Sequence, residues 1–245
     1  MGIFGKIDKR IIIGVVIFLL LLAVGGIVLL FHNKNDDEVS EPNKDALRFK
    51  EDYAELNGKE NSKGLKYPTV ELKDDNPFRY INEEEAVKVL ENGTGIIYFG
   101  FNSCPWCRNL VPNIVEAAKE ADSKEIYYLD VMDIRSTLSY ENKKVTTTRE
   151  GSESYYKLLE LLDDYLEKFY VTDAKGKKYD TGEKRLYAPT LVAVVDGKIV
   201  GFHEGTLKEH TNGYDALDED QVKELRKILV DLFSKVNSGL CSEKC

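Results

Sequence analysis

Cysteine, histidine and methionine are scarce in this sequence. Its 245 residues include 4 cysteines, 3 histidines and 2 methionines. Four cysteines are too few for a small protein built around disulfides. His32, His203 and His210 have no ligand spacing relative to one another or to the cysteines. They are interpreted as surface histidines, so no metal site is predicted.

Positive charge is also in deficit. The chain has 34 Lys and Arg residues against 43 Asp and Glu residues, a net charge of −9. Because it has no basic stripe to neutralise phosphates, nucleic acid is not expected as a partner. What the chain does contain is 42% hydrophobic and 31% charged residues. That balance supports a packed core and excludes a wholly disordered chain.

One apolar run is long enough to cross a membrane. Residues 11–31 contain no charge and span, at ~1.5 Å per residue, a hydrocarbon core ~30 Å thick. Lys6, Lys9 and Arg10 precede this run, which predicts a single-pass protein of the cell membrane with its N-terminus in the cytoplasm and the rest outside. The alternative is a signal peptide cleaved near residues 23–25. The run exceeds the ~7–15 residues of a signal-peptide core, which favours an uncut anchor.

Hydrophobic periodicity divides the remaining chain into three parts. Residues 32–66 are predicted to be a polar spacer with a short helix between residues 46 and 56. Residues 67–236 are predicted to form the folded domain, and residues 237–245 a tail. Within the domain, strands are predicted at 67–72, 95–101, 126–131, 190–195 and 198–202, and helices at 82–91, 108–121, 155–169 and from 218.

Cys104 and Cys107 lie where a buried strand gives way to a helix, inside a predicted strand–helix–strand unit with parallel strands. Cys104 at the helix N-terminus would meet unpaired N–H groups and the positive end of the helix dipole, and both favour the thiolate. Pro105 suits the first helical position. Cys107, one turn on, would resolve a mixed disulfide. A zinc half-site or an inert disulfide remain as alternatives, and the strand–helix context favours the redox interpretation.

The segment FNSCPWC, Pro112 eight residues after Cys104, and Tyr187-Ala188-Pro189-Thr190 together resemble the thioredoxin superfamily. The resemblance implies an α/β fold with a central mixed sheet flanked by helices. It also implies that Pro189 is cis and lies against the cysteine pair. The substrate-binding residues would then be Pro105, Trp106, Ala188, Pro189 and Thr190. More closely, the sequence resembles membrane-anchored thioredoxin-like proteins of Gram-positive bacteria, among them bacteriocin transport accessory proteins.

Two features depart from the thioredoxin pattern. Tyr98 occupies the position of a buried acidic residue that helps proton transfer, and a phenol with a pKa near ~10 cannot act as a base near neutrality. Glu116 and Asp130 are the candidates to replace it. The second departure is a helical insert at about 133–186, ahead of the predicted cis-proline. We expect it to be either a wall or lid at the active site that narrows substrate choice, or a packing ornament, that is, a structural addition with no contact to substrate.

Cys241 and Cys245 close the chain. The preceding helix should carry them to the pole opposite the active site, which favours a local structural disulfide. A free or regulatory pair, an electron relay and a four-cysteine zinc site remain as alternatives.

The sequence thus predicts an extracytoplasmic, membrane-tethered thiol–disulfide oxidoreductase with Cys104 as nucleophile and Cys107 as resolving thiol. Expected partners are protein or peptide thiols and disulfides, and a membrane redox protein that reloads the pair. The redox-active disulfide stands in place of a cofactor. One alternative is a chaperone that binds a soft ion such as Cu(I) through Cys104 and Cys107. Such a site would need a histidine or methionine beside the pair, and the scarcity of methionine, with Met132 the only one beyond Met1, counts against it. The other is a non-catalytic accessory subunit of an exporter.

Overall fold

The structure, a computed structural model, describes residues 43–242. The predicted membrane anchor, the spacer up to residue 42 and the predicted disulfide to Cys245 lie outside the described residues. No helix between residues 43 and 242 is long and apolar enough to cross a membrane.

Strands and helices alternate from residue 44 to residue 130, and most of the later strands follow one another directly. The strands are β1 (Phe78–Tyr80), β2 (Gly95–Gly100), β3 (Ile126–Asp130), β4 (Thr137–Glu141), β5 (Lys144–Arg149), β6 (Glu167–Thr172), β7 (Lys178–Arg185), β8 (Thr190–Val195) and β9 (Lys198–Glu204). The helices are α1 (Lys44–Ala54), α2 (Glu83–Asn92), α3 (Pro105–Glu120), α4 (Glu153–Leu161) and α5 (Glu219–Ser242).

A five-stranded mixed sheet with the order β1-β3-β2-β8-β9 forms the centre. β1 and β2 each run parallel to β3, while β8 runs antiparallel to β2 and to β9. β2, α3 and β3 therefore form the predicted strand–helix–strand unit, and β8 and β9 form the predicted hairpin. The α/β class with a central mixed sheet flanked by helices is confirmed.

Helices cover both faces of the sheet, and β2 therefore buries side chains on both sides. Ile96 and Tyr98 face a core built with α1, α3 and α5. Ile97 and Phe99 face a second core built with α2 and α4. Such two-sided burial accounts for the nearly continuous apolar run of β2.

The folded unit is longer at both ends than the sequence predicts. The predicted spacer helix is α1, and its Ala46, Phe49 and Tyr53 are fully buried in the first core. Phe49 stacks on Phe78 with ring centroids 3.8 Å apart. The packed unit therefore begins at α1 and not at residue 67. At the other end α5 continues to Ser242, so residues 237–242 belong to a helix and not to a tail.

The predicted strand at residues 67–72 is wrong. Residues 67–72 belong to no strand: the Tyr67 N–H donates to the Lys59 carbonyl at 3.1 Å, and the peptide groups of Pro68 and Val70 bind side chains. The Asn57 side chain donates to the Val70 carbonyl at 2.8 Å and accepts from the Val70 N–H at 2.9 Å, while Arg108 Nε donates to the Pro68 carbonyl at 2.6 Å. The edge strand is instead β1, which the sequence did not predict.

The insert is only partly helical, contrary to prediction. It contains two antiparallel hairpins, β4–β5 and β6–β7, with α4 between them. α4 ends at Leu161, before the predicted end at Phe169. The apolar pattern that predicts a longer helix continues past Leu161, because Leu162 and Leu166 are still buried in the second core.

Candidate active site

The two cysteines lie at the start of α3, in the predicted position. Cys104 is the N-cap residue, with extended backbone angles, and Pro105 is the first helical residue. The Cys107 N–H donates to the Cys104 sulfur at 3.2 Å, so the N-cap hydrogen bond of this helix ends on the sulfur. Both residues are free thiols. Cys104 is 3% exposed and Cys107 is fully buried.

The surroundings push the pKa values of the two sulfurs in opposite directions. Burial acts to raise the pKa of Cys104, but hydrogen bonds from the Cys107 side chain and N–H, the charge of Arg135 and the Trp106 N–H outweigh it and lower that pKa. Burial, followed by the Cys104 sulfur, raises the pKa of Cys107 well above its ordinary value. Of the two sulfurs, Cys104 is therefore the one that ionises more readily, and Cys107 is the one that keeps its proton.

The loop before β8 lies against Cys104. The Ala188–Pro189 peptide bond is cis, and the Cys104 thiol lies 3.4 Å from the Ala188 carbonyl. The Pro189 carbonyl accepts from the Gly205 N–H at 2.8 Å, which ties the loop to β9. The predicted juxtaposition of this loop with the cysteines is therefore present.

Not every predicted substrate-binding residue is accessible. Thr190 is fully buried, and its hydroxyl donates to the Tyr187 carbonyl at 2.8 Å, so its side chain holds the loop and lines no surface. Pro189 is also buried, whereas Pro105 and Ala188 are partly exposed. Trp106, 36% exposed, offers the largest apolar surface next to Cys104.

Trp106 is supported by the loop between β9 and α5. A Cβ atom at Gly213 would overlap the indole ring, so only glycine lets the loop backbone approach it. Asn109 donates to the Gly213 carbonyl at 2.7 Å. The ring also borders a cleft of about 410 Å³. His210, predicted to be on the surface, is 7% exposed and bonds Thr206 and the Asp215 carbonyl, thereby fixing this loop.

A buried pair of tyrosines lies behind Cys107. The hydroxyls of Tyr53 and Tyr98 are 3.0 Å apart, and both residues are fully buried. Gly100 makes the space, since a Cβ there would overlap the Tyr98 hydroxyl. Burial, followed by the nearby Cys107 sulfur, raises the pKa of Tyr98 well above its ordinary value. Tyr98 therefore stays protonated and cannot act as a base near neutrality.

The two predicted replacements for the buried acid do not reach the cysteines. Glu116 is exposed on α3, and its hydrogen bond with Lys119, at 3.0 Å, lowers its pKa. Asp130 ends β3, where burial raises its pKa, and it accepts from the Tyr128 hydroxyl at 3.4 Å and the Met132 N–H at 2.8 Å. No hydrogen bond in the described part of the chain joins either carboxylate to a cysteine sulfur.

Arg108 is a structural residue of the site that the sequence did not single out. Its side chain is fully buried directly after Cys107. Besides Pro68, its guanidinium donates to the Tyr53 carbonyl at 2.8 Å, the Asn102 carbonyl at 3.0 Å and Asn57 Oδ1 at 2.6 Å. These bonds join α1, the loop before Cys104 and the segment after Asn57 to α3. No local pattern revealed this role, because every acceptor is brought in by the fold.

The described residues contain no group of three or more His, Cys, Asp or Glu side chains arranged to hold a metal ion. One soft donor does lie near the cysteines, because the Ser103 hydroxyl contacts the Met132 sulfur at 3.8 Å. The site thus combines a thiol of lowered pKa at the start of α3 with a thiol of raised pKa one turn behind it. Comparisons with protein-family models, curated proteins and solved structures find no match to this chain.

Proposed function

We propose that this domain has a thioredoxin-like fold and exchanges disulfides with secreted or envelope proteins, tethered to the outer face of the cell membrane by residues 11–31. The observation that carries the proposal is the state of Cys104. It caps α3, its pKa is lowered, and it lies 3.2 Å from the Cys107 N–H and 3.4 Å from the Ala188 carbonyl.

Three further features support the thioredoxin-like fold. A parallel β2–α3–β3 unit carries the cysteines at the β2–α3 junction. An antiparallel β8–β9 hairpin completes the sheet, with a cis-proline at its entry. Pro112 lies inside α3, at the position expected from the resemblance.

The exchange reaction uses both sulfurs in turn. The Cys104 thiolate attacks one sulfur of a substrate disulfide, which breaks the S–S bond and releases the other sulfur as a thiolate. Cys107 then attacks Cys104, its proton passes to the departing substrate thiolate, and a Cys104–Cys107 disulfide remains. The substrate gains two electrons and the pair loses two. The reverse sequence oxidises a substrate dithiol, and in either direction a membrane redox partner restores the pair.

The surface around Cys104 suits a polypeptide substrate. Trp106 presents an exposed indole edge, and the cleft beside it has room for a side chain. Met132, 48% exposed, lies next to Ser103 on the other side of the nucleophile. Ala188 is the partly accessible residue of the proline loop. The substrate class we propose is therefore protein and peptide thiols and disulfides.

A trapping experiment tests the proposal. In full-length protein expressed in cells, Cys107→Ser should accumulate mixed disulfides that appear on non-reducing gels and disappear with reductant. The matched control is Cys104→Ser combined with Cys107→Ser, which retains Cys241 and Cys245 and should form none of these adducts. Absence of adducts from the single variant, or their persistence in the double variant, would contradict the proposal.

The location is tested separately. Protease added to intact, wall-stripped cells should digest the domain while a cytoplasmic marker protein survives. A domain that is digested only after the cells are lysed would contradict an extracytoplasmic position. This outcome is independent of the trapping result.

The Met132 contact favours one second candidate, a Cu(I) chaperone. Thiolates and a thioether are the donors that select this ion, and Met132 lies beside the residue that precedes Cys104. Cu(I) titration of the full-length protein against a competing chelator distinguishes the two functions. Tight binding that weakens in Met132→Leu, together with no trapped partner, would support the chaperone. Met132→Leu should leave disulfide exchange intact if the oxidoreductase proposal is right.

A further inference from the structure

An arginine from the insert approaches the nucleophile. Arg135 lies between β3 and β4, and its guanidinium carbon is 4.9 Å from the centroid of the Phe101 ring. Phe101 begins the turn that ends at Cys104, whose N–H donates to the Phe101 carbonyl at 3.2 Å. The charge therefore lies over the turn that carries the reactive sulfur.

The charge of Arg135 has no carboxylate partner among the ion pairs of the described residues, and its Nε is a buried donor without a hydrogen-bond acceptor there. Burial lowers the pKa of Arg135, and the charge of Arg185 lowers it further. Arginine nevertheless remains protonated in proteins. A partly buried cation without an ion-pair partner is unfavourable, so a negative charge formed nearby is stabilised.

Cys104 is the group that can supply this negative charge. The titratable groups that interact electrostatically with Arg135 are Arg185, Tyr155, Asp130 and the two cysteines. Tyr155 has a pKa raised by burial, so it stays neutral. Asp130 also interacts with the charge of Arg135, but its carboxylate is held at the end of β3 by Tyr128 and the Met132 N–H and forms no ion pair with the guanidinium in the described part of the chain. Cys107 keeps its proton, which leaves Cys104 as the sulfur that ionises.

The rest of the insert holds the arginine in place. Arg149, at the end of β5, donates to the Arg135 carbonyl at 3.2 Å and to the Met132 carbonyl at 3.0 Å. Arg185, at the end of β7, donates to the Ser136 carbonyl at 2.7 Å. The backbone on both sides of Arg135 is therefore anchored by both hairpins.

Arg108, the other cation close to the cysteines, does not take this role. Its guanidinium is occupied by four acceptors, three of them backbone carbonyls. Arg135 has its Nε free.

We propose that Arg135 is a positioning residue that keeps Cys104 ionised, so that the insert sets the reactivity of the nucleophile. The inference deepens the proposed function, because an ionised Cys104 is what attacks a disulfide. It gives the insert a role that neither a lid nor a packing ornament would have.

The test measures alkylation of Cys104 in the full-length, reduced protein. Iodoacetamide labelling is followed by mass spectrometry of the peptide that contains residue 104, across a pH series, so that Cys241 and Cys245 do not contribute. Arg135→Gln should shift the dependence of the Cys104 alkylation rate on pH to higher pH. Below the midpoint of that curve, labelling should be about three- to tenfold slower. Arg135→Lys should restore much of the rate, because it keeps the charge. Lys144→Gln removes an exposed positive charge from the same insert and should leave the profile unchanged.

Two results would overturn the proposal. One is a pH profile in Arg135→Gln that matches the unsubstituted protein. The other is an Arg135→Lys profile as shifted as that of Arg135→Gln, which would indicate a purely steric role. Thermal unfolding of each variant shows whether it is folded. Because alkylation requires no disulfide partner, failure of the trapping experiment with an intact Arg135 effect would overturn the proposed function alone.

Discussion

Removing both hydroxyls of the buried Tyr53–Tyr98 pair should cost less than the sum of the costs of removing each one alone. The two hydroxyls are 3.0 Å apart, and both side chains are fully buried. Tyr98→Phe leaves the Tyr53 hydroxyl without this partner, and a buried unsatisfied polar group costs about 1–3 kcal/mol. Tyr53→Phe leaves the Tyr98 hydroxyl without the same partner, so a similar cost of about 1–3 kcal/mol is expected.

The double variant tests the reasoning. With both hydroxyls absent, no unsatisfied donor remains between the rings, so the loss should be well below the sum of the two single losses. We expect a coupling free energy of about 1 kcal/mol, which corresponds to a difference of about 2–4 °C in Tm for a domain of this size.

The assay is urea unfolding of the full-length protein for the parent, both single variants and the double variant. The control pairs Tyr53→Phe with Tyr156→Phe, an exposed residue of the insert, and these two losses should add. Additivity of Tyr53→Phe and Tyr98→Phe to within ~0.3–0.5 kcal/mol would refute the claim that the hydroxyls stabilise each other.

Three further outcomes follow from the same structure. Arg108→Met should lower the free energy of unfolding by about 3 kcal/mol or more, because four buried acceptors lose a charged donor; a loss below ~1 kcal/mol in urea unfolding would contradict this. Burial, followed by the charge of Glu167, raises the pKa of Glu204 to about 7, so the stability linked to its proton is present below its unfolded-state pKa near ~4.3 and is lost as the pH rises through about 7. Glu204→Gln should therefore raise Tm at pH ~8 and change it little at pH ~4, and equal effects at both would argue against a raised pKa of this carboxyl. Gly213→Ala should displace the Trp106 ring and slow exchange with protein disulfides, while the rate of Cys104 alkylation is unchanged. Equal slowing of both reactions would contradict a role for Trp106 in substrate binding.

The parts of the site that follow from local rules could be predicted from the sequence. A continuous apolar run, two cysteines and a proline at the first helical position define β2 and the start of α3. Asp196 and Gly197 both have positive φ, as the predicted tight turn requires. The proline loop before β8 could likewise be predicted from the Tyr187-Ala188-Pro189-Thr190 motif, and the β8–β9 hairpin from the turn at Asp196 and Gly197.

Other parts of the structure depend on contacts between distant segments and could not be predicted from the sequence. The segment at 67–72 has an alternating pattern, but Asn57 and Arg108 take its peptide groups. β4 and β5 bury no residue, so they lack the apolar alternation that predicts strands. Tyr53 belonged to an apolar helix stripe, and only the packing of α1 against the sheet brings its hydroxyl to Tyr98. Arg135 sits in a polar loop whose position depends on both hairpins of the insert.

The involvement of α1 decides where this protein can be cut for biochemical work. A fragment starting at residue 67, where the sequence pattern sets the domain boundary, would lose Phe49 and Tyr53 from the interior. It would also strip Arg108 of two acceptors and uncover the aromatic side chains around Tyr128. Such a fragment would expose apolar surface that promotes aggregation, and the reactivity of its cysteines would differ from that in the intact protein. A usable recombinant fragment has to start at Asn43 or earlier, so that the cap of α1 is retained.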